Sequence, residues 1–104
     1  MIRQFDVVRN PVSAWRADKP FLICIQHDFL FESRTRALAA LVIPGSVKPT
    51  PRLYPQLVVL GQKLILTPDD LVTLGTRQLG KPVTNLKSER ERIIAAIDMI
   101  LTSI

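Results

Sequence analysis

The apolar residues of this chain keep two different periods. Up to residue 66 they fall in short runs broken by Pro, Gly, Asn and Asp, the pattern of strands and turns. From Ser88 onward they recur at helical spacing: Ile93, Ile97, Ile100, Leu101 and Ile104, with Ile94 alongside. Ser88-Glu89-Arg90-Glu91 reads as a capping box, with Ser88 accepting from the N–H of Glu91 and Glu91 reaching back to Ser88. Ala95 and Ala96 let this helix lie close to what it covers, while Arg90, Arg92 and Asp98 fall off the stripe and face water. The pattern predicts a helix that closes a sheet. It has no Gly or Pro stop and runs to an apolar last residue, Ile104, so its end is expected either to join the core or to protrude toward a partner.

The strands come first. Gln4 to Val8 reads as a short strand with Phe5 and Val7 on one face. Arg9 to Pro20 is a loop punctuated by Asn10-Pro11 and Pro20, with Trp15 expected to pack back on the sheet. Phe21 to Ile25 is nearly all apolar and reads as a central strand covered on both faces. Phe29, Leu30 and Phe31 form an apolar cluster for which a place in the core is the default expectation. Arg36 to Ile43 is assigned as a strand on its length and the Pro44-Gly45 stop, against the helix propensity of its alanines. Ser46 to Pro55 is an extended, proline-rich loop.

Leu57–Leu60 and Lys63–Leu66 form the clearest hairpin, with Gly61-Gln62 expected as a type II′ turn. Thr67-Pro68-Asp69-Asp70 reads as a helix start: Thr67 as N-cap, Pro68 next, acids in the first turn and Gly75 as the stop. Arg77 to Val83 is expected as an edge strand weakened by Gly80 and Pro82. Most connections are too short for parallel crossovers, so the fold expected is one α+β domain over residues 1–104 with a mostly antiparallel sheet.

Composition narrows the function classes. No stretch approaches the ~20 apolar residues of a spanning helix, and the first residues carry no signal-peptide core, so a cytoplasmic protein without membrane binding is expected. Cys24 stands alone in an apolar run and reads as a small buried hydrophobe. His27 has no second His or Cys nearby to share a metal, and neither metal nor cofactor is expected. Fourteen basic against nine acidic residues give a net charge of +5, which favours an acidic partner. The basic residues form no dense run, so direct nucleic-acid binding is not expected. There is no Gly-rich phosphate loop and no nucleophile–base pair with motif support, and Asp69-Asp70 is better explained as a complement to a helix dipole than as a catalytic pair. These residues give no positive case for an enzyme.

A set of landmarks then runs in order along most of the chain. They are Gln4-Phe5, Phe21-Leu22 leading to Gln26 and Asp28, Thr35-Arg36 ahead of Ile43-Pro44, Leu53-Tyr54-Pro55, Gly61, Thr67, and Leu86 before a helix carrying Ala96-Ile97-Asp98. In order and spacing they resemble the CcdB family, toxins of toxin–antitoxin modules. The resemblance implies an SH3-like barrel of twisted antiparallel sheet, a small extra sheet and a C-terminal helix, assembled as a homodimer. It also implies a mechanism without catalysis: the dimer binds the DNA gyrase A subunit, traps the enzyme on cleaved DNA, and is neutralised by an acidic CcdA-like antitoxin.

Carried over position by position, the gyrase contacts fall on Phe29 and Leu30, and on Asp98, Leu101, Thr102, Ser103 and Ile104. The family's best-known member ends Trp-Gly-Ile; here the ending is Thr102-Ser103-Ile104. A Trp anchor at an interface is commonly worth ~2–4 kcal/mol. A protein of this fold that has lost gyrase poisoning, either inactive or acting on a different target, is therefore an open alternative. A second is an endoribonuclease, since MazF/Kid toxins are similar in fold; Asp28 with Arg34 or Arg36 would be its candidate groups.

Overall fold

A computed structural model describes residues 1–30, with Leu30 through its backbone alone, and residues 32–102. The strands are β1 (Asp6–Arg9), β2 (Phe21–Cys24), β3 (Thr35–Val42), β4 (Gln56–Val59), β5 (Gln62–Gly75) and β6 (Thr84–Asn85), followed by helix α1 (Arg90–Thr102). They form one antiparallel sheet in the order β4-β5-β3-β2-β1-β6, nearly closed into a barrel. The separate extra sheet implied by the resemblance is not among the described residues; all six strands belong to this one.

Both faces of the sheet are buried along β1, β2, β3 and the first half of β5, which is why those strands read as continuous apolar runs, while β4 and the end of β5 alternate buried and exposed residues. On one face Val7, Ile23, Leu41, Leu64 and Leu66 pack with Ile93 and Ala96 of α1. On the other, Val8, Leu22, Leu38, Ala40 and Ile65 pack with Ile2, Val47, Tyr54 and Leu79. The expected central strand is β2, held between β1 and β3, and Cys24 within it is fully buried.

The stretch expected as a helix from Thr67 to Gly75 is instead the second half of β5. Ala39 pairs with Leu71 but Ala40 pairs with Thr67, so Pro68, Asp69 and Asp70 bulge from the ladder. The bulge accommodates Pro68, which has no N–H to donate. Thr67 caps no helix; its hydroxyl donates to the Ala40 carbonyl at 3.2 Å.

The hairpin turn is Leu60-Gly61, one residue earlier than expected, and Val59 pairs with Gln62. Its φ angles are +51° at Leu60 and +81° at Gly61, the two positive values of a type I′ rather than a type II′ turn. Arg77 to Val83 is not an edge strand: a 3-10 turn occupies Thr76–Gln78 and the edge strand is the two-residue β6.

Helix α1 is entered through a 3-10 turn, Lys87–Glu89, and not through a Ser88 capping box. Asn85 does the capping, its Oδ1 accepting the N–H of Lys87 at 2.8 Å. Trp15 does not fold back into the core; it is 49% exposed, with Lys19 Nζ 5.7 Å from its ring centroid.

Candidate functional site

The turn after β2 is braced from several sides. The Gln26 side chain accepts from the N–H of Ala37 at 3.1 Å and donates to the Thr35 carbonyl at 3.3 Å. His27 Nδ1 accepts from the N–H of Phe29 at 2.9 Å. Asp28 Oδ1 accepts from the N–H of Gln4 at 2.7 Å, and its other oxygen lies 3.9 Å from the Arg3 guanidinium. These bonds fix a single 3-10 turn, Asp28–Leu30, from which the Phe29 ring projects 87% exposed. The core placement expected for Phe29 is thus corrected: the polar bonds of the turn set its direction and leave the ring outside. Phe31 lies outside the described residues.

The second group stands on α1. Ile93 and Ala96 are buried, and Ile94 and Ile97 pack beside them, which fixes the rotation of the helix. Arg92 also holds it, donating to the Gln56 carbonyl at 2.8 Å and to Glu89 at 3.0 Å. That rotation leaves Asp98, Leu101 and Thr102 exposed, Leu101 at 57%. The Thr102 hydroxyl donates back to the Asp98 carbonyl at 2.6 Å. Asp98 and Thr102 line a groove of about 350 Å³ with Pro51, Arg52, Glu91 and Ala95. Neither Phe29 nor Leu101 lines this groove. Ser103 and Ile104 lie outside the described residues.

The groups weighed for ribonuclease chemistry are placed differently. Asp28 is engaged with Gln4 and Arg3. Arg36 is 3% exposed and donates to the carbonyls of Ile2, Ser33 and Thr35 at 3.0, 2.6 and 2.9 Å. Asp69 and Asp70 occupy the β5 bulge and line a groove with Asp18, Lys19 and Tyr54. The Tyr54 hydroxyl donates to Asp69 at 3.2 Å, and Lys19 pairs with Asp70. Desolvation, then the Asp69 charge, pushes the Tyr54 phenol above its ordinary value. Among the described residues no three His, Cys, Asp or Glu side chains are grouped to hold a metal, and no helix is long and apolar enough to cross a membrane.

Sequence reasoning missed a cleft of about 430 Å³ where Ser33, Arg34, Arg36, Thr76 and Lys81 meet. No local motif announces it, because its residues are far apart in the chain.

The antiparallel near-barrel thus carries a covering helix, a displayed aromatic ring and an exposed helix end. The sequence matches the CcdB protein family over residues 4–103, and the chain belongs to that family. Membership supports its being the toxin of a toxin–antitoxin module. A solved structure with the same fold is an endoribonuclease in complex with its cognate antitoxin from a mycobacterial species, with TM-score 0.78 and 13% sequence identity over 97% of this chain and 95% of that one. No curated protein matches the sequence.

Proposed function

We propose that this toxin acts by binding rather than by catalysis. As a cytoplasmic homodimer it presents Phe29, Leu30 and the end of α1, from Asp98, Leu101 and Thr102 into Ser103 and Ile104, to the DNA gyrase A subunit. A CcdA-like antitoxin neutralises it. The observation that carries this reading is Phe29: a phenyl ring left 87% exposed on a turn braced by Gln4, Gln26, His27 and Asp28. Large apolar groups held rigidly in water are typical anchors for another macromolecule. Leu101, 57% exposed, extends the apolar contact along the helix end.

Expression of the chain in a gyrase-sensitive host tests this. The intact protein should arrest growth and inhibit supercoiling by purified gyrase. Phe29→Ala, and deletion of Thr102 to Ile104, should each relieve both effects while the circular dichroism spectrum is kept. Undiminished toxicity of both variants would remove these residues from the mechanism. An intact chain that leaves growth and supercoiling unchanged would point to a family member that has lost gyrase poisoning.

An endoribonuclease reading is supported by the activity named for the mycobacterial structure of the same fold. Against it stand the engagement of Asp28 with Gln4 and of Arg36 with three backbone carbonyls. Incubation of the purified protein with RNA separates the two: cleavage would establish the second reading, and intact RNA would dismiss it.

A further inference from the structure

Basic residues that form no run in the sequence converge in the fold. Arg34 comes from the turn before β3, Arg36 from β3 itself, and Lys81 from the segment leading to β6; together with Ser33 and Thr76 they line the 430 Å³ cleft. Glu32 is the one acid among its lining residues. Arg34 and Lys81 are exposed and, among the described residues, enter no ion pair. Arg36 is a different kind of cation: buried, with its guanidinium pinned by three carbonyls, it is a fixed charge in the wall.

Two other grooves do not share this sign. The one beside the β5 bulge holds Asp18, Asp69 and Asp70 against Lys19. The one beside α1 balances Arg52 and Arg92 with Glu91 and Asp98. The groove along Lys87 to Arg92 sets three cations against two acids and a neighbouring one holds Arg92 alone, so the cleft of Arg34, Arg36 and Lys81 with Glu32 carries the larger positive excess.

We propose that this cleft binds a phosphate group, carried by a free nucleotide or by a nucleic-acid strand. A guanidinium offers paired donors that match two phosphate oxygens, and Arg34, exposed in the cleft lining, can supply them. Lys81 adds a point charge on a flexible stem, and the Thr76 hydroxyl adds a neutral donor. Ile2 and Leu79 form an apolar wall that strengthens these attractions by excluding water. The volume is that of a small-ligand site. The site is separate from the gyrase reading and does not depend on it. A strand ligand would revise the expectation, drawn from the scattered basic residues, that the chain makes no nucleic-acid contact.

The test uses the full chain in an NMR titration with inorganic pyrophosphate and with a single-stranded octanucleotide, and with an oligoglutamate of matched charge. Pyrophosphate or the octanucleotide should shift the amides of residues 32–36 and 76–81. Arg34→Ala and Lys81→Ala, both at exposed positions, should each weaken binding roughly three- to tenfold and lower the salt dependence by about 0.7 per cation removed for a single strand. Glu32→Gln should tighten binding, and Asp70→Asn in the acidic groove should leave it unchanged. Binding of pyrophosphate as strong as that of the octanucleotide would identify a free phosphate ligand; strong binding of the octanucleotide alone would identify a strand. Equal affinity for oligoglutamate, or no loss in either the Arg34 or the Lys81 variant, would overturn the proposal.

Discussion

The carboxylate of Asp28 accepts the backbone N–H of Gln4 at 2.7 Å. The Gln4 carbonyl in turn accepts from the Asn85 side chain at 3.1 Å, and Asn85 caps the turn into α1. One residue of the first segment thus joins the turn that displays Phe29 to the entrance of the C-terminal helix. Phe5, next in the chain, takes a φ of +69° while its N–H donates to Cys24 and its carbonyl accepts from Leu86. A buried non-glycine residue holds that conformation only where its surroundings determine it.

Asp28→Ala should therefore cost about 1–2 kcal/mol, because it leaves the Gln4 N–H unpaired in a part-buried site. Asp28→Asn should recover most of this, since its oxygen still accepts. The ion pair with Arg3, 63% and 44% exposed at its two side chains, should add little. Urea denaturation reads the stability, and amide exchange at Phe29 should quicken in the alanine variant alone.

The Leu60-Gly61 turn carries strain that a substitution can remove. Leu60 is 68% exposed at φ +51°, so its side chain gains little from burial to offset an unfavourable backbone. Leu60→Asn or Leu60→Gly should stabilise the protein by about 0.5–1 kcal/mol, and Gly61→Ala should destabilise it by about 1 kcal/mol. The shift of the urea midpoint decides both signs.

Asn85 and Ser88 compete as the start of the helix, and substitution separates them. Asn85→Ala removes the cap on Lys87 and the bonds to Gln4 and Asp6, and should cost about 1–2 kcal/mol. Ser88→Ala should change stability by less than about 0.5 kcal/mol, since no hydrogen bond of the described residues uses its side chain. Thermal unfolding of the two variants side by side would reverse this assignment if Ser88 proved the costlier loss.

Much of the fold could be read from the chain because burial leaves a plain signature. The two-sided burial of β2 writes itself as Phe21 to Ile25, and the rotation of α1 as Ile93, Ala96 and Ile97. Thr67-Pro68-Asp69-Asp70 misled because a helix start and a proline-bearing bulge favour the same residues; only pairing with β3, distant in sequence, distinguishes them. The hairpin register slipped because Leu60 takes a left-handed conformation that its residue type disfavours. The placement of the candidate site was half legible. The helix end follows from periodicity, whereas Phe29 reads equally as core until the bonds from Gln4 and Gln26 aim it outward. The cationic cleft depends on strand order alone and leaves no local trace.

Cys24 makes stability fall with alkaline pH. Burial raises its thiol above the ordinary value of 9.0, outweighing the lowering by its hydrogen bond with Gln26 and by the Arg36 charge. In the unfolded chain the thiol ionises near that ordinary value, while in the fold it stays protonated to a higher pH. The unfolded state therefore loses the proton first. The contribution of Cys24 is whole below about pH 8.5 and declines as pH rises from the unfolded toward the folded value, by at most about 1.4 kcal/mol per pH unit. Cys24→Ala should be less stable at neutral pH, because it leaves a void in a fully buried strand. Its deficit against the intact protein should stay constant from pH 6 to 8 and shrink above pH 9, since the alanine variant has no thiol to ionise. Urea midpoints of the two proteins across that range measure the difference, and a deficit that stays flat to pH 10 would show that the thiol ionises alike in both states.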